Sequence, residues 1–121
     1  MPQKTVVIFD DDADLLTIFH YIFEEMDWRV LSYQDCDQVV DIARNITPDL
    51  ILMDNWIPSI GGIAATQLLK ADRELSKIPV IYISANNDVM ALSVQAGADA
   101  FIAKPFDFTE LEETAKRLTG Q

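Results

Sequence analysis

Short apolar runs alternate with amphipathic segments along the whole chain. The runs are rich in β-branched and aromatic residues, which predicts buried strands, and they cover residues 6–9, 29–33, 50–53, 79–83 (with Pro79 at the first position) and 101–103. Apolar residues at helical spacing mark residues 15–26, 39–43, 63–69, 89–96 and 108–118. Apolar strands separated by helices predict a doubly wound α/β domain, with a five-stranded parallel sheet of order 2-1-3-4-5 flanked by five helices.

Local signals at the helix ends agree with this pattern. Asp11 or Asp12 is available to cap the first helix, because carboxylates accept hydrogen bonds from the free N–H groups of a helix start. The pair Gly61-Gly62 opens the third helix, and Gly97 suits the end of the fourth. We therefore expect helices that begin and end close to the limits of the apolar stripes.

Polar residues stand directly at the ends of four predicted strands. They are Asp10, Asp11, Asp12, Asp54, Ser84 and Lys104. In an open parallel sheet, ligands bind outside the carboxyl ends of the strands, near the point where the strand order reverses. Carboxylates and one ammonium gathered at that edge predict a site for a divalent cation and a phosphoryl group.

The chemistry of such a site follows from its charges. Crowded carboxylates repel one another, so at least one should have a raised pKa without a cation, and Mg²⁺ suits a few carboxylates plus waters. A carboxylate such as Asp54 can attack phosphorus to form an acyl phosphate, while Lys104 offers a point charge and Ser84 a hydrogen-bond donor. The structural alternative is that Asp10 to Asp12 only cap the first helix and that Asp54 only forms a turn before Pro58.

Length, charge and cysteine content narrow the class of protein. The 121 residues fit one domain, which we expect to span residues 1–121. With 9 basic and 20 acidic residues, the net charge of −11 argues against direct binding to nucleic acid or to an anionic membrane. The single cysteine, Cys36, excludes an internal disulfide. Because the chain also lacks a signal peptide or a membrane-spanning run, we expect a cytoplasmic protein.

Four segments together resemble the receiver domain of two-component response regulators, of the chemotaxis-regulator kind, along nearly the whole chain. They are FDDDADLL, DLILMDNWIPSIGG, ISA and AGADAFIAKPF. The resemblance implies that Asp54 is the phosphoacceptor and that Asp10 and Asp11 bind Mg²⁺ or Mn²⁺ together with Asp54 and the backbone carbonyl of Trp56. It also implies a flavodoxin-like fold.

The same resemblance assigns the remaining parts of a signalling switch. Lys104 would contact the phosphoryl group, and Ser84 and Phe101 would be the switch residues. The Lys104–Pro105 peptide bond is expected to be cis. Partners would be a sensor histidine kinase or phosphotransfer protein and a downstream protein target, which we expect to meet Met90 and Val94 together with the fifth strand and last helix. The domain would phosphorylate and dephosphorylate itself rather than turn over a substrate.

Other functions remain open from the sequence alone. VIFDDDADL resembles the first motif of haloacid dehalogenase-like phosphatases, with Asp10 as nucleophile, although Ala13 and Asp14 replace the Gly-Thr of that family. A receiver-like interaction module that is never phosphorylated is a second alternative. A flavodoxin-like cofactor protein would share the fold, but the three aspartates after the first strand would repel an anionic cofactor. We expect no output domain, in either a stand-alone regulator or a receiver excised from a larger protein.

Overall fold

The computed structural model of the chain describes residues 3–120 and contains one five-stranded parallel sheet. The strands are β1 (Thr5–Phe9), β2 (Arg29–Tyr33), β3 (Leu50–Asp54), β4 (Val80–Ser84) and β5 (Ala100–Ala103). Their order in the sheet is β2-β1-β3-β4-β5, and every neighbouring pair is parallel. The predicted fold class and strand order are confirmed.

Five helices connect and follow the strands. They are α1 (Ala13–Glu25), α2 (Val39–Ile46), α3 (Gly61–Ala71), α4 (Val89–Ala96) and α5 (Phe108–Leu118). A short 3-10 helix over Leu75–Lys77, which the sequence did not predict, precedes β4. The prediction that Pro79 begins the fourth strand was wrong by one residue, because the strand starts at Val80.

Helices cover both faces of the sheet, which explains the uninterrupted apolar strands. One core cluster joins alternate residues of the strands, such as Ile8 and Leu52, to α1 and α5. The other alternate set, such as Val7 and Ile51, packs against α2 and α3. Every residue of the central strands β3 and β4 is buried. The flanking strands β2 and β5 are mostly half-buried or exposed.

The helix termini bear out the local signals. Asp12 caps α1 by accepting hydrogen bonds from the N–H groups of Asp14 at 3.0 Å and Leu15 at 3.2 Å. Gly97 ends α4 with a φ of 83°, in the left-handed region that glycine adopts without strain. Gly62 is required for a different reason: a Cβ there would collide with the backbone oxygen of Asp54. The start of α3 is thereby pressed against the carboxyl end of β3.

Across residues 3–120, no helix combines the length and the apolar character that a bilayer crossing requires.

Candidate functional site

The adjacent strands β1 and β3 bring two buried carboxylates together. Phe9 and Met53 are register partners, so the next residues along each strand, Asp10 and Asp54, lie side by side. Asp10 is 1% exposed and Asp54 is 5% exposed. Oxygen atoms of these two carboxylates and of the exposed Asp11 all lie within 4.8 Å of one another. The predicted acidic cluster at the carboxyl edge of the sheet is present in the structure.

Lys104 brings a positive charge to this cluster. Its backbone N–H donates to the carbonyl of Ser84 at 2.9 Å, which extends the β4–β5 pairing to the end of the sheet. Its Nζ donates to Asp54 Oδ1 at 2.6 Å and to Asp10 Oδ2 at 3.3 Å. The Lys104–Pro105 peptide bond is cis, as predicted. One ammonium therefore bridges the two buried carboxylates.

Backbone N–H groups hold the other oxygens of both buried carboxylates. Asp54 Oδ2 accepts from the N–H of Trp56 at 3.0 Å. Asp10 Oδ1 accepts from the N–H of Asp12 at 2.9 Å. Each carboxylate is thus fixed at one oxygen by the loop that follows its own strand and at the other by Lys104. The two side chains have little rotational freedom.

Burial dominates the ionisation of the cluster. It raises the pKa of Asp54 above its ordinary value, and the negative charge of Asp10 adds to this rise, whereas Lys104 and the N–H of Trp56 oppose it. Burial likewise raises the pKa of Asp10, with Lys104 again opposing. For Lys104, burial lowers the pKa, but the two carboxylates outweigh it and the pKa is raised overall. The ammonium is stabilised, while the carboxylates are left short of positive charge.

A small cavity of about 280 Å³ opens next to Asp54. Its lining residues are Asp54, Asn55, Trp56, Ser84, Ala85, Asn86 and Lys104. Ser84 is 3% exposed, and its Oγ accepts from the N–H of Asn86 at 2.9 Å, so the hydroxyl keeps its own proton to donate. The cavity therefore presents a carboxylate, an ammonium and a hydroxyl to a small anionic group.

The structure separates these residues from the other residues predicted for function. Phe101 is 41% exposed on the edge strand, and Met90 and Val94 are 61% and 73% exposed on α4. Trp56 lines the cavity although its side chain points largely into solvent, at 80% exposure. Two further lining residues, Asn55 and Asn86, were not predicted from the sequence, because neither carries a charge or ends an apolar run.

Comparison with known proteins decides the family. Residues 6–116 match the model of the response regulator receiver domain. The chain belongs to this family. The receiver is 33% identical over 120 residues to the polar-differentiation response regulator DivK of Brucella ovis, with 97% of each chain covered.

Two solved structures of receiver domains from histidine kinases are similar to this receiver. One is the receiver domain of the sensor histidine kinase PA1611 of Pseudomonas aeruginosa, which has a magnesium ion in its active site cleft. Its TM-score is 0.90 and its identity 27%, and the match covers 99% of this chain and 100% of that chain. The other, from a histidine kinase of Syntrophus aciditrophicus, has a TM-score of 0.89 and 28% identity and covers 97% of this chain and 90% of that chain.

These matches settle the class of function. The protein is a receiver domain of two-component signalling and a phosphoacceptor switch, and the phosphatase and unphosphorylated-module alternatives are not favoured. The matches assign the family as a whole, whereas the role of each residue in this chain rests on the site geometry.

Proposed function

We propose that this receiver accepts a phosphoryl group on Asp54 from the phosphohistidine of a sensor histidine kinase or a phosphotransfer protein. One observation carries the proposal: Asp54 is buried beside a cavity, with Lys104 Nζ 2.6 Å from one oxygen and two more aspartates within reach. A carboxylate held in place by a lysine and a backbone N–H needs little reorganisation to attack. Positioning and electrostatics are the main sources of catalysis in phosphoryl transfer.

The acidic cluster fits Mg²⁺, or Mn²⁺ in its place. Its donors are all carboxylate oxygens, and Asp10, Asp11 and Asp54 bring them within 4.8 Å of one another, as a small hard cation requires. Trp56 follows Asp54 by two residues, and its backbone carbonyl would complete the protein ligands. When bound, the cation would neutralise charge on the phosphoryl oxygens.

In the transfer itself, an Asp54 oxygen attacks the phosphorus in line. The new P–O bond forms as the P–N bond of phosphohistidine breaks, and the electron pair of that bond returns to the imidazole nitrogen. Lys104 attracts the developing charge on the equatorial oxygens, because its ammonium already lies against Asp54. Later hydrolysis of the acyl phosphate restores Asp54. The receiver thus works as a self-phosphorylating and self-dephosphorylating domain rather than as a turnover enzyme.

Phosphorylation would then change the surface that partners meet. Ser84 lines the Asp54 cavity with a hydroxyl proton to donate, so a phosphoryl oxygen would attract it. Phe101, which is 41% exposed in this structure, would turn inward into the space that Ser84 leaves. A downstream protein would meet β5, α5 and the exposed Met90 and Val94 of α4. The phosphoryl group acts by favouring one of two existing states.

Intact-mass measurement after incubation with acetyl phosphate and Mg²⁺ tests the acceptor directly. We expect one added phosphoryl group on the wild type and none on Asp54→Asn, because the amide cannot form the acyl phosphate. Asp14→Asn is the matched control, since Asp14 is an exposed aspartate in the first turn of α1. It should be phosphorylated like the wild type. An adduct that persists in Asp54→Asn would show that another residue accepts the phosphoryl group.

A further inference from the structure

Asn55, the residue after the proposed acceptor, is held by three hydrogen bonds. Its backbone N–H donates to the carbonyl of Ile83 at 2.8 Å, and its carbonyl accepts from the N–H of Gly62 at 3.2 Å. Its side-chain Oδ1 accepts from the hydroxyl of Tyr82 on β4. Asn55 also lines the Asp54 cavity. The backbone on the far side of Asp54 is therefore tied both to the neighbouring strand and to the start of α3.

The hydrogen bond between Tyr82 and Asn55 lies on the face of the sheet opposite to the carboxylate of Asp54. Successive side chains of a strand point to opposite faces. Asn55 follows the last residue of β3, and its N–H bond to Ile83 continues the pairing with β4, so its side chain lies on the face opposite to that of Asp54. Met53 and Tyr82 are register partners across β3 and β4. Asn55, two residues after Met53, shares the face that Tyr82 occupies. The Tyr82 hydroxyl thus holds the residue after β3 by a hydrogen bond on that face.

Tyr82 is suited to a fixed role of this kind. Its residue is 0% exposed, and its ring packs with Val89 and Ala96 of α4. Burial, with a smaller contribution from the charge of Asp54, raises the pKa of Tyr82 to about 12. The hydroxyl therefore stays protonated at neutral pH and acts as the donor to Asn55.

We propose that Tyr82 is a positioning residue for phosphoryl transfer: by holding Asn55, it fixes the direction in which Asp54 points at the phosphorus. This inference rests on the proposed role of Asp54 as acceptor. Without the hydroxyl, the amide of Asn55 loses its partner, and the end of β3 gains freedom at the residue next to the nucleophile. In-line attack is sensitive to such freedom, because small displacements of the reacting atoms lower rates strongly. Of the proposed Mg²⁺ ligands, Asp10 and Asp11 belong to another loop and should be little affected, whereas Asp54 and Trp56 flank Asn55.

The test compares Tyr82→Phe, Asn55→Leu and the double variant with the wild type. The rate constant for phosphorylation by acetyl phosphate and the Kd for Mg²⁺ are measured for each protein. We expect each single variant to be phosphorylated about fivefold more slowly, the effect of losing one hydrogen bond of ordinary strength. The double variant should be no slower than the singles, because the two side chains act as one unit. The Kd for Mg²⁺ should rise by a smaller factor than the rate constant falls, because two of the four proposed protein ligands, Asp10 and Asp11, lie on the other loop.

Tyr33→Phe is the matched control. Tyr33 ends β2 at the same edge of the sheet, and its half-buried ring stacks on Phe9 with 5.7 Å between centroids. This variant loses the same atom and should keep the wild-type rate.

Three results would overturn the inference. They are a Tyr82→Phe rate equal to that of the wild type, a double variant in which the two effects multiply, and a loss of Mg²⁺ affinity equal to the loss of rate, which would indicate general loosening of the site. Each of them leaves Asp54 as the acceptor. A wild type that takes no phosphoryl group would instead contradict the proposed function, and the inference with it.

Discussion

Two lysines lie at opposite ends of the sheet, and the balance of positive and negative charge around them differs. Lys104, at the carboxyl edge, is shared by two buried carboxylates, Asp10 and Asp54, with the third aspartate nearby. Lys70, at the end of α3 near the amino edge, meets one carboxylate, that of Asp99. One ammonium faces an excess of negative charge, and the other is matched.

The surroundings of Lys70 show what a matched ammonium looks like. Its Nζ donates to Asp99 Oδ2 at 2.7 Å and to the carbonyls of Ser76 at 3.1 Å and Ile78 at 2.8 Å, which accounts for its three donors. Asp99 Oδ2 also accepts from the N–H of Val80 at 2.8 Å. The cluster therefore connects α3 to the amino-terminal ends of β4 and β5.

The two clusters differ in whether their charges are matched within the protein or remain available to a ligand. At the amino edge every donor of Lys70 has a partner in the protein, so the cluster stabilises the fold and offers nothing to a ligand. At the carboxyl edge burial raises the pKa of both Asp10 and Asp54, which means that their negative charges are incompletely compensated. That deficit favours binding of a cation. It also lowers the stability of the free protein, as is common at functional sites.

Breaking the matched cluster should give the largest effect on stability. Lys70→Met leaves the Asp99 carboxylate and two carbonyls without their partner, so we expect the free energy of unfolding to fall by about 2 kcal/mol. The midpoint temperature should then fall by about 8 °C. Urea and thermal unfolding followed by circular dichroism would measure both. At a temperature where the variant is folded, phosphorylation of Asp54 should be unchanged.

Lys77→Met serves as the control for Lys70→Met, because Lys77 is an exposed lysine in the adjacent 3-10 helix. It should change stability little. Equal effects of the two substitutions, or no loss in Lys70→Met, would show that the hydrogen-bonded cluster does not stabilise the fold.

Removing a negative charge from the cluster of Asp10 and Asp54 should instead raise the free energy of unfolding. Because burial raises the pKa of Asp54 in the folded protein, the folded state binds a proton more tightly than the unfolded state. The ionised carboxylate thus opposes folding at neutral pH, and this opposition disappears as the pH falls through the raised pKa toward the ordinary value of 3.8. Asp54→Asn should therefore be more stable than the wild type at pH 7, by about 1 kcal/mol.

The pH dependence distinguishes this explanation from a simple packing effect. The stability gap between Asp54→Asn and the wild type should narrow as the pH is lowered, in urea titrations at successive pH values. Asp14→Asn, at an exposed position, should show no such gap. A gap that widens at lower pH, or a variant less stable than the wild type at pH 7, would contradict the argument.

The sequence predicted one of the two lysine environments and not the other, for a physical reason. Asp54 and Lys104 each follow an apolar strand directly, and parallel topology carries strand ends to one edge, so their meeting could be inferred. Lys70 lies near the end of a helix, where a lysine is usually solvated. Its pairing with Asp99, 29 residues away, depends on how α3 is placed over the sheet.

The hydrogen bond between Tyr82 and Asn55 was missed for the same reason. The two residues are 27 positions apart, and the bond depends on the register between β3 and β4. Local patterns predict which elements form and which charges stand at their ends. They do not predict polar pairs made by long-range packing.

The smallest expected effect concerns how open the carboxyl edge is to water. The Trp56 side chain is 80% exposed, yet the residue lines the Asp54 cavity and its N–H holds Asp54 Oδ2 at 3.0 Å. A bulky ring at the mouth of the cavity should slow the approach of water to the acyl phosphate. Trp56→Ala keeps the backbone N–H and removes only this ring. We therefore expect dephosphorylation to become about threefold faster, a decrease of about 0.65 kcal/mol in activation free energy. The decay of phosphorylated protein after removal of acetyl phosphate measures this, and Trp56→Phe should lie between the two. If Trp56→Ala decays at the wild-type rate, the ring does not shield the acyl phosphate, and exclusion of water must come from the buried walls of the cavity alone.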